Sequence, residues 1–201
     1  MVLTIVMAPT TEPIDVATVK KQCRMDGIND DDSFIAEVLI PGVRDRAELA
    51  TQRALPTQTW DAKFDEFPWV DYIELPKPPL VSVTSVKYID TNGVEQTWVS
   101  SNYSVDAPSG PRCARGRVLL GYGKTWPATR LQANAVTIRF ICGYGDDMTD
   151  MPPLLVQGML IDAATVYENR ESYVTGTIVT PVPDNAAQIY RKFKSHPTQY
   201  L

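Results

Sequence analysis

Histidine is almost missing: His196 stands alone in a chain of 201 residues. A metal site built on imidazoles therefore has no second ligand, and a Ser-His-Asp arrangement has no recognisable partner, because no serine lies in a G-x-S-x-G elbow. Its place in a polar tail before Pro197 is that of an exposed residue. Cysteine is scarce too. Cys23, Cys113 and Cys142 are odd in number, far apart and without a C-x-x-C pair, which argues against a disulfide framework and a zinc site and favours a reducing compartment. There is no cationic excess either. Lys plus Arg number 19 against 24 acidic residues, for a net charge of −5, and no basic block supplies the clustered cationic face that grips nucleic-acid phosphates. Long apolar runs are also absent: the opening MVLTIVMAP has no cationic flank and is broken at Pro9, too short for a signal peptide or a membrane span.

What remains is a chain with 44% hydrophobic residues, enough to bury a real core as one domain, 1-201. From Ile14 to Leu55 apolar side chains recur at helical spacing: first Val16, Val19 and Cys23, then Phe34, Ile35, Val38, Leu39, Val43, Ala47 and Ala50. Two helices over 14–55 are predicted, with Phe34, Leu39 and Leu49 serving the core. Gly27 ends the first, and Asp30, Asp31 or Asp32 caps the second, where free backbone N–H groups favour a carboxylate. Asp26-Gly27-Ile28 breaks the ligand order that a calcium loop requires. Pro41-Gly42 predicts a kink or break in the second helix.

Between 57 and 144 the period falls to two. TQTWDAKF, DYIEL, VSVTSVKYID, VEQTWV, YSVD, RVLL and AVTIRFICGY read as short antiparallel strands, with a hairpin turn at Asn92-Gly93. Helical spacing returns over 151–172, along Leu154, Leu155, Gly158, Ile161, Ala164 and Thr165, and a last helix with its tail occupies 184–201. The fold class expected from this order is α+β: a small helical bundle carrying an antiparallel β insertion between its second and third helices.

The stretch GYGDDMTDMPP concentrates Asp146, Asp147 and Asp150. Pro152 or Pro153 in a first helical turn loses no needed hydrogen bond, and Asp150 just ahead can cap that helix, so the stretch is a strand end, a turn and a helix start rather than a metal site. GYGKTW imitates a phosphate loop, yet Val118 stands where that loop needs glycine, and Trp126-Pro127 follows where a helix must begin. The pairs Asp65/Glu66 and Asp71/Glu74 are explained by solvated strand ends. Trp60, Trp69, Trp98 and Trp126, with Tyr72, Tyr88 and Tyr103, are expected in a core or subunit interface rather than a sugar platform. No catalytic residues, cofactor or metal are expected.

Several pieces keep a fixed order: DDDSFIAEVL, then Arg53-Ala54-Leu55 with Gln58-Thr59-Trp60, Leu75-Pro76 with Pro78-Pro79-Leu80 and Ser82-Val83, Trp126-Pro127, Gly143-Tyr144-Gly145, and Pro152 with Tyr167-Glu168-Asn169-Arg170. Over about residues 14 to 172 this succession resembles the head-tail connector family of tailed bacteriophages, the adaptor or head-completion proteins of the neck. Pro41-Gly42 and the region after Ser172 depart from it.

The resemblance implies a non-enzymatic structural protein of the virion, assembled in the host bacterial cytoplasm. It would form a homo-oligomeric ring of about twelve copies, a dodecamer, bound to the portal protein above and to a stopper or tail-completion protein below. Genomic DNA would pass through its channel without sequence-specific binding, and no membrane is involved. The amphiphilic stretch NAAQIYRKFKSHPTQYL is expected to dock on the portal through Ile189, Tyr190 and Phe193, with Arg191, Lys192 and Lys194 as cationic partners. A stopper or tail-completion subunit is the alternative within the same neck, and a small Trp-rich ligand-binding module the alternative outside it.

Overall fold

The computed structural model describes residues 1–25, 27, 29–169 and 185–196. The chain forms two compact units, one from Met1–Thr10, Gln52–Tyr144 and the segment from Ser195, the other from Thr11–Thr51 and Gly145–Lys194.

The first unit is built from strands. β1 (Val2–Met7), β2 (Gln58–Phe64), β4 (Leu80–Ile89), β5 (Glu95–Trp98) and β8 (Val136–Cys142) form an antiparallel sheet in the order β1-β2-β8-β4-β5. β3 (Tyr72–Glu74), β6 (Tyr103–Asp106) and β7 (Arg117–Leu120) form a second in the order β3-β7-β6. Directly paired residues share a face, and the register lines up Leu3, Ala62, Ile138, Val86 and Trp98 across all five strands of the larger sheet. The neighbouring row is Ile5, Trp60, Phe140 and Val83. That face joins Ile73 and Val118 of the smaller sheet in one apolar cluster. On the opposite face Arg139 grips Asp61 through two hydrogen bonds of 2.8 and 2.9 Å, a cross-strand pair in which the half-exposed guanidinium compensates a buried carboxylate. The aromatic residues complete the core: Phe67 stacks on Trp126 at 4.9 Å and Trp98 on Tyr103 at 5.4 Å.

A helical bundle with a β insertion is therefore not the fold. Eight strands in two antiparallel sheets occur among the described residues, and the protein is a mixed α/β structure in which the β part has its own core. The physical reason lies partly in β1. This strand precedes α1 in the chain and forms one end of the larger sheet, so the sheet is not only an insertion between the second and third helices. The seven strands expected between 57 and 144 are present, and the Asn92-Gly93 hairpin joins β4 to β5 with Gly93 at a φ of 85°. Asp90 accepts the N–H groups of Asn92 and Val94 there, at 2.9 and 3.0 Å, which fixes the turn.

The second unit is helical. Asp15 caps α1 (Val16–Gln22) by accepting the Thr18 N–H at 2.6 Å, and this bond holds its carboxyl below the usual value. Lys20 ties the following loop by reaching Asn29 at 2.6 Å and Asp32 at 2.8 Å. α2 (Asp32–Phe34) passes into a π turn (Ile35–Leu39) and then α3 (Ile40–Thr51), so helical backbone runs unbroken past Pro41. The wide turn answers the missing N–H and the ring clash of proline: it places the extra residue just ahead of Pro41, with the Ile40 N–H bonded to the Ile35 carbonyl. It also rotates the buried stripe onto Ile35, Leu39, Ile40, Val43 and Ala47, leaving Phe34 and Leu49 outside the core expected for them. α4 (Pro153–Glu168) is the central helix, contacted by α1, α3 and α5 (Asn185–Phe193).

Candidate assembly interface

The acidic stretch acts as a local scaffold. Asp147 and Asp150 form a reciprocal capping box around the 3-10 turn Met148–Asp150, with the Asp147 N–H donating to Asp150 at 3.2 Å. Asp150 thus caps this turn, while α4 begins at Pro152-Pro153 with no side-chain cap. The nearby Glu12 accepts from Arg44 at 2.8 Å. Among the described residues no group of three His, Cys, Asp or Glu side chains is placed to hold a metal.

Three of the ordered sequence pieces converge in the β unit. The Ala54 N–H bonds the Pro78 carbonyl, the Gly143 N–H the Pro79 carbonyl, and the Tyr144 N–H the Leu55 carbonyl, at 3.2, 3.0 and 2.8 Å. The Pro78-Pro79 bond is cis. Arg53, buried beside this seam, donates to the Cys113 carbonyl at 2.9 Å, and the Tyr144 hydroxyl donates to the Pro111 carbonyl at 2.7 Å. Entry to and exit from the β unit are thereby stitched to each other and to the 111–113 loop. Burial pushes the Tyr144 hydroxyl up to about 12. Its folded value lies above the unfolded one, so the contribution to stability is complete below pH ~10 and is lost as pH rises through ~12. Urea unfolding at pH 9 and 11 is expected to show a smaller alkaline loss for Tyr144→Phe than for the unaltered chain; equal losses would exclude Tyr144 as a source.

The six residues expected to dock on the portal divide by face. Tyr190 and Phe193 are buried and Ile189 is half-buried, whereas Arg191, Lys192 and Lys194 are exposed. Tyr190 and Ile189 lie over Gly158 of α4, where an added Cβ would meet Ile189 at 3.0 Å and Tyr190 at 3.2 Å. α5 is therefore an anchored helix whose outward side is cationic. The anchoring was hidden in the sequence because an amphipathic pattern marks an apolar face without naming what covers it.

Two exposed aromatic residues lie in the β unit: Trp69, which was expected in a core or subunit interface and is not in the core, and Tyr122, which the sequence did not single out. Trp69 is 97% exposed, and Tyr122 is fully exposed. Both loops leave the same end of the smaller sheet, since the Leu120 N–H bonds the Asp71 carbonyl at 2.8 Å and the Trp126 indole bonds the Val70 carbonyl at 2.8 Å. Trp98 and Trp126, by contrast, belong to the aromatic packing. A signal for Trp69 exists in the sequence, where it follows Pro68 between acidic residues in DEFPWVD. β1, an edge strand among the described residues, carried no alternation by which to recognise it.

No protein-family model matches the chain, and no curated protein matches it. Solved structures do. A chain from the neck of an empty GTA particle, computed with C6 symmetry, superposes with a TM-score of 0.78 at 22% identity, covering 99% of this chain and 98% of that one. A chain from the virion of a native gene transfer agent (GTA) particle gives 0.76 at 22% identity, and one from the neck of a native GTA particle, computed with C12 symmetry, gives 0.72 at 21%. Both again cover 99% and 98% of the two chains. Over almost its whole length, then, this protein has the fold of a chain found in the neck of a gene transfer agent particle.

Proposed function

We propose that the protein is a structural subunit of the neck of a tailed phage or phage-like particle, an adaptor that joins head to tail. In this reading it closes into a ring of about twelve copies against the portal vertex after packaging and leaves a channel for DNA. The observation that carries the reading is the fold match to a neck chain over 99% of the residues, too complete for a shared submotif. The likeness of that neck to a rotationally symmetric object, described with C6 and C12 symmetry, supports a ring. A net charge of −5 per copy suits a conduit, because a lumen without cationic excess lets duplex slide rather than holding it. Particles assembled without this chain are expected to accumulate as DNA-filled heads and unattached tails. Joined, infectious particles in its absence would contradict the reading.

Portal docking is assigned to the outward face of α5. Tyr190, Phe193 and the contact at Gly158 hold the helix in place, and Arg191, Lys192 and Lys194 present charge to a carboxylate-bearing partner. The triple variant Arg191→Ala, Lys192→Ala, Lys194→Ala removes exposed groups only, so folding should be unchanged while affinity for portal rings falls about tenfold at low salt and less at high salt. Unchanged affinity by surface plasmon resonance would remove α5 from the portal contact.

A further inference from the structure

Among the described residues the larger sheet ends in β1 and β5, and the chemistry of β1 differs from that of an ordinary edge strand. Edges are normally protected by charge, proline or brevity, because unpaired N–H and C=O groups template association. β1 has six residues, VLTIVM, and no charged side chain occurs before Glu12. Leu3 packs on the core, but Val2, Ile5, Val6 and Met7 are 54%, 45%, 44% and 61% exposed. The other end, β5, is a short strand of four residues whose Glu95 pairs with Lys87 of β4 at 2.7 Å, and it is flanked by exposed Val94 and Val99.

We infer that in the assembled ring β1 pairs with β5 of the adjacent copy, so that the five-stranded sheets of successive subunits continue edge to edge. This rests on the ring proposed above. A cyclic ring needs two unlike, complementary patches on every subunit, and the two ends of one sheet are such a pair. Direction agrees as well. Four successive antiparallel pairings leave β1 and β5 pointing the same way. A rotation of about 30° per copy in a twelve-membered ring nearly preserves direction, so the joint is parallel. Pairing of β1 with itself about a two-fold axis would be antiparallel, would satisfy each edge once and could not propagate. The faces match: Val2, Lys63, Thr137, Lys87 and Thr97 form one cross-strand row, which puts Thr97 on the same face as Val2 and its neighbour-but-one Thr4.

Disulfide trapping tests this. Cysteine is placed at Val2, Thr4 or Met7, which share one face across the irregularity between Ile5 and Met7, each together with Thr97→Cys, in a Cys23→Ser chain whose two other thiols are buried. The variants are assembled on portal rings and oxidised. At least one pair is expected to give a ladder of linked chains reaching ring size, while Thr4→Cys alone gives no dimer. A dimer from that single variant would overturn the inference in favour of two-fold pairing. In a second measurement Val2→Lys with Val6→Lys, checked for native circular dichroism, is expected to lower ring yield at least tenfold. A ring of full mass that yields no ladder, or that tolerates both lysines, overturns the inference and leaves the ring intact. If the unaltered chain makes no ring, the neck reading falls and this joint with it.

Discussion

Phe140→Ala is expected to destabilise the protein by about 4 kcal/mol, the largest effect of any single truncation in the β unit. Phe140 is fully buried and the largest side chain of that kind. It sits on β8, between Trp60 of β2 and Val83 of β4, at the middle of the larger sheet. Loss of the ring removes both transfer free energy and the contacts of its neighbours, and three paired strands around it restrict collapse into the void. The check is equilibrium urea unfolding, where this loss lowers the midpoint by about 2 M for a slope near 2 kcal/mol/M. A shift below about 0.5 M would mean that the sheet repacks freely and that the core is not organised around β8.

Gly143→Ala is expected to cost about 3 kcal/mol, from backbone rather than packing. Gly143 has a φ of 133°, and a Cβ there would lie 2.4 Å from the Pro56 carbonyl oxygen and 2.8 Å from the Thr57 Cα. Both obstacles are main chain, held by the seam that links residues 54–55, 78–79 and 143–144. No side-chain rotation relieves them. Gly42 is the contrast: it lies in α3, is exposed, and has nothing within 4 Å of an added Cβ. Gly42→Ala should raise stability by up to about 1 kcal/mol through helix propensity. Thermal melts of the two variants should therefore move in opposite directions, and a neutral Gly143→Ala would show that the seam can open at little cost.

Where the sequence was readable, a local pattern and a tertiary partner agreed. Val136, Ile138, Phe140 and Cys142 alternate with half-buried residues because β8 has a core on one side only, so period two survives in the text. β1 was unreadable for the opposite reason: its side chains are mostly exposed on both faces, and VLTIVM has no polar alternation to display. Pro41 announced a disturbance in the helix, but its resolution as a π turn depends on tertiary packing of the stripe from Ile35 to Ala47. Asp150 was seen as a cap, and which turn it caps depends on Gly145, whose φ of 150° brings the backbone against the Asp150 carboxylate. For the candidate interface, the cations of α5 were visible as charge, whereas the burial of Tyr190 and Phe193 required knowing that α3 and α4 lie beneath them. The segments 170–184 and 197–201, which include part of the motif ending at Arg170 and the end of the expected docking tail, lie outside the described residues.

Addition of this chain as a ring to a portal, as proposed above, is directly measurable. Its most direct test is native mass spectrometry of portal rings from the same particle mixed with the purified chain, which weighs 22.4 kDa. One discrete addition of about twelve subunits is expected, without a ladder of intermediate occupancies at saturation. Portal rings that gain no mass at any concentration of the chain would contradict it.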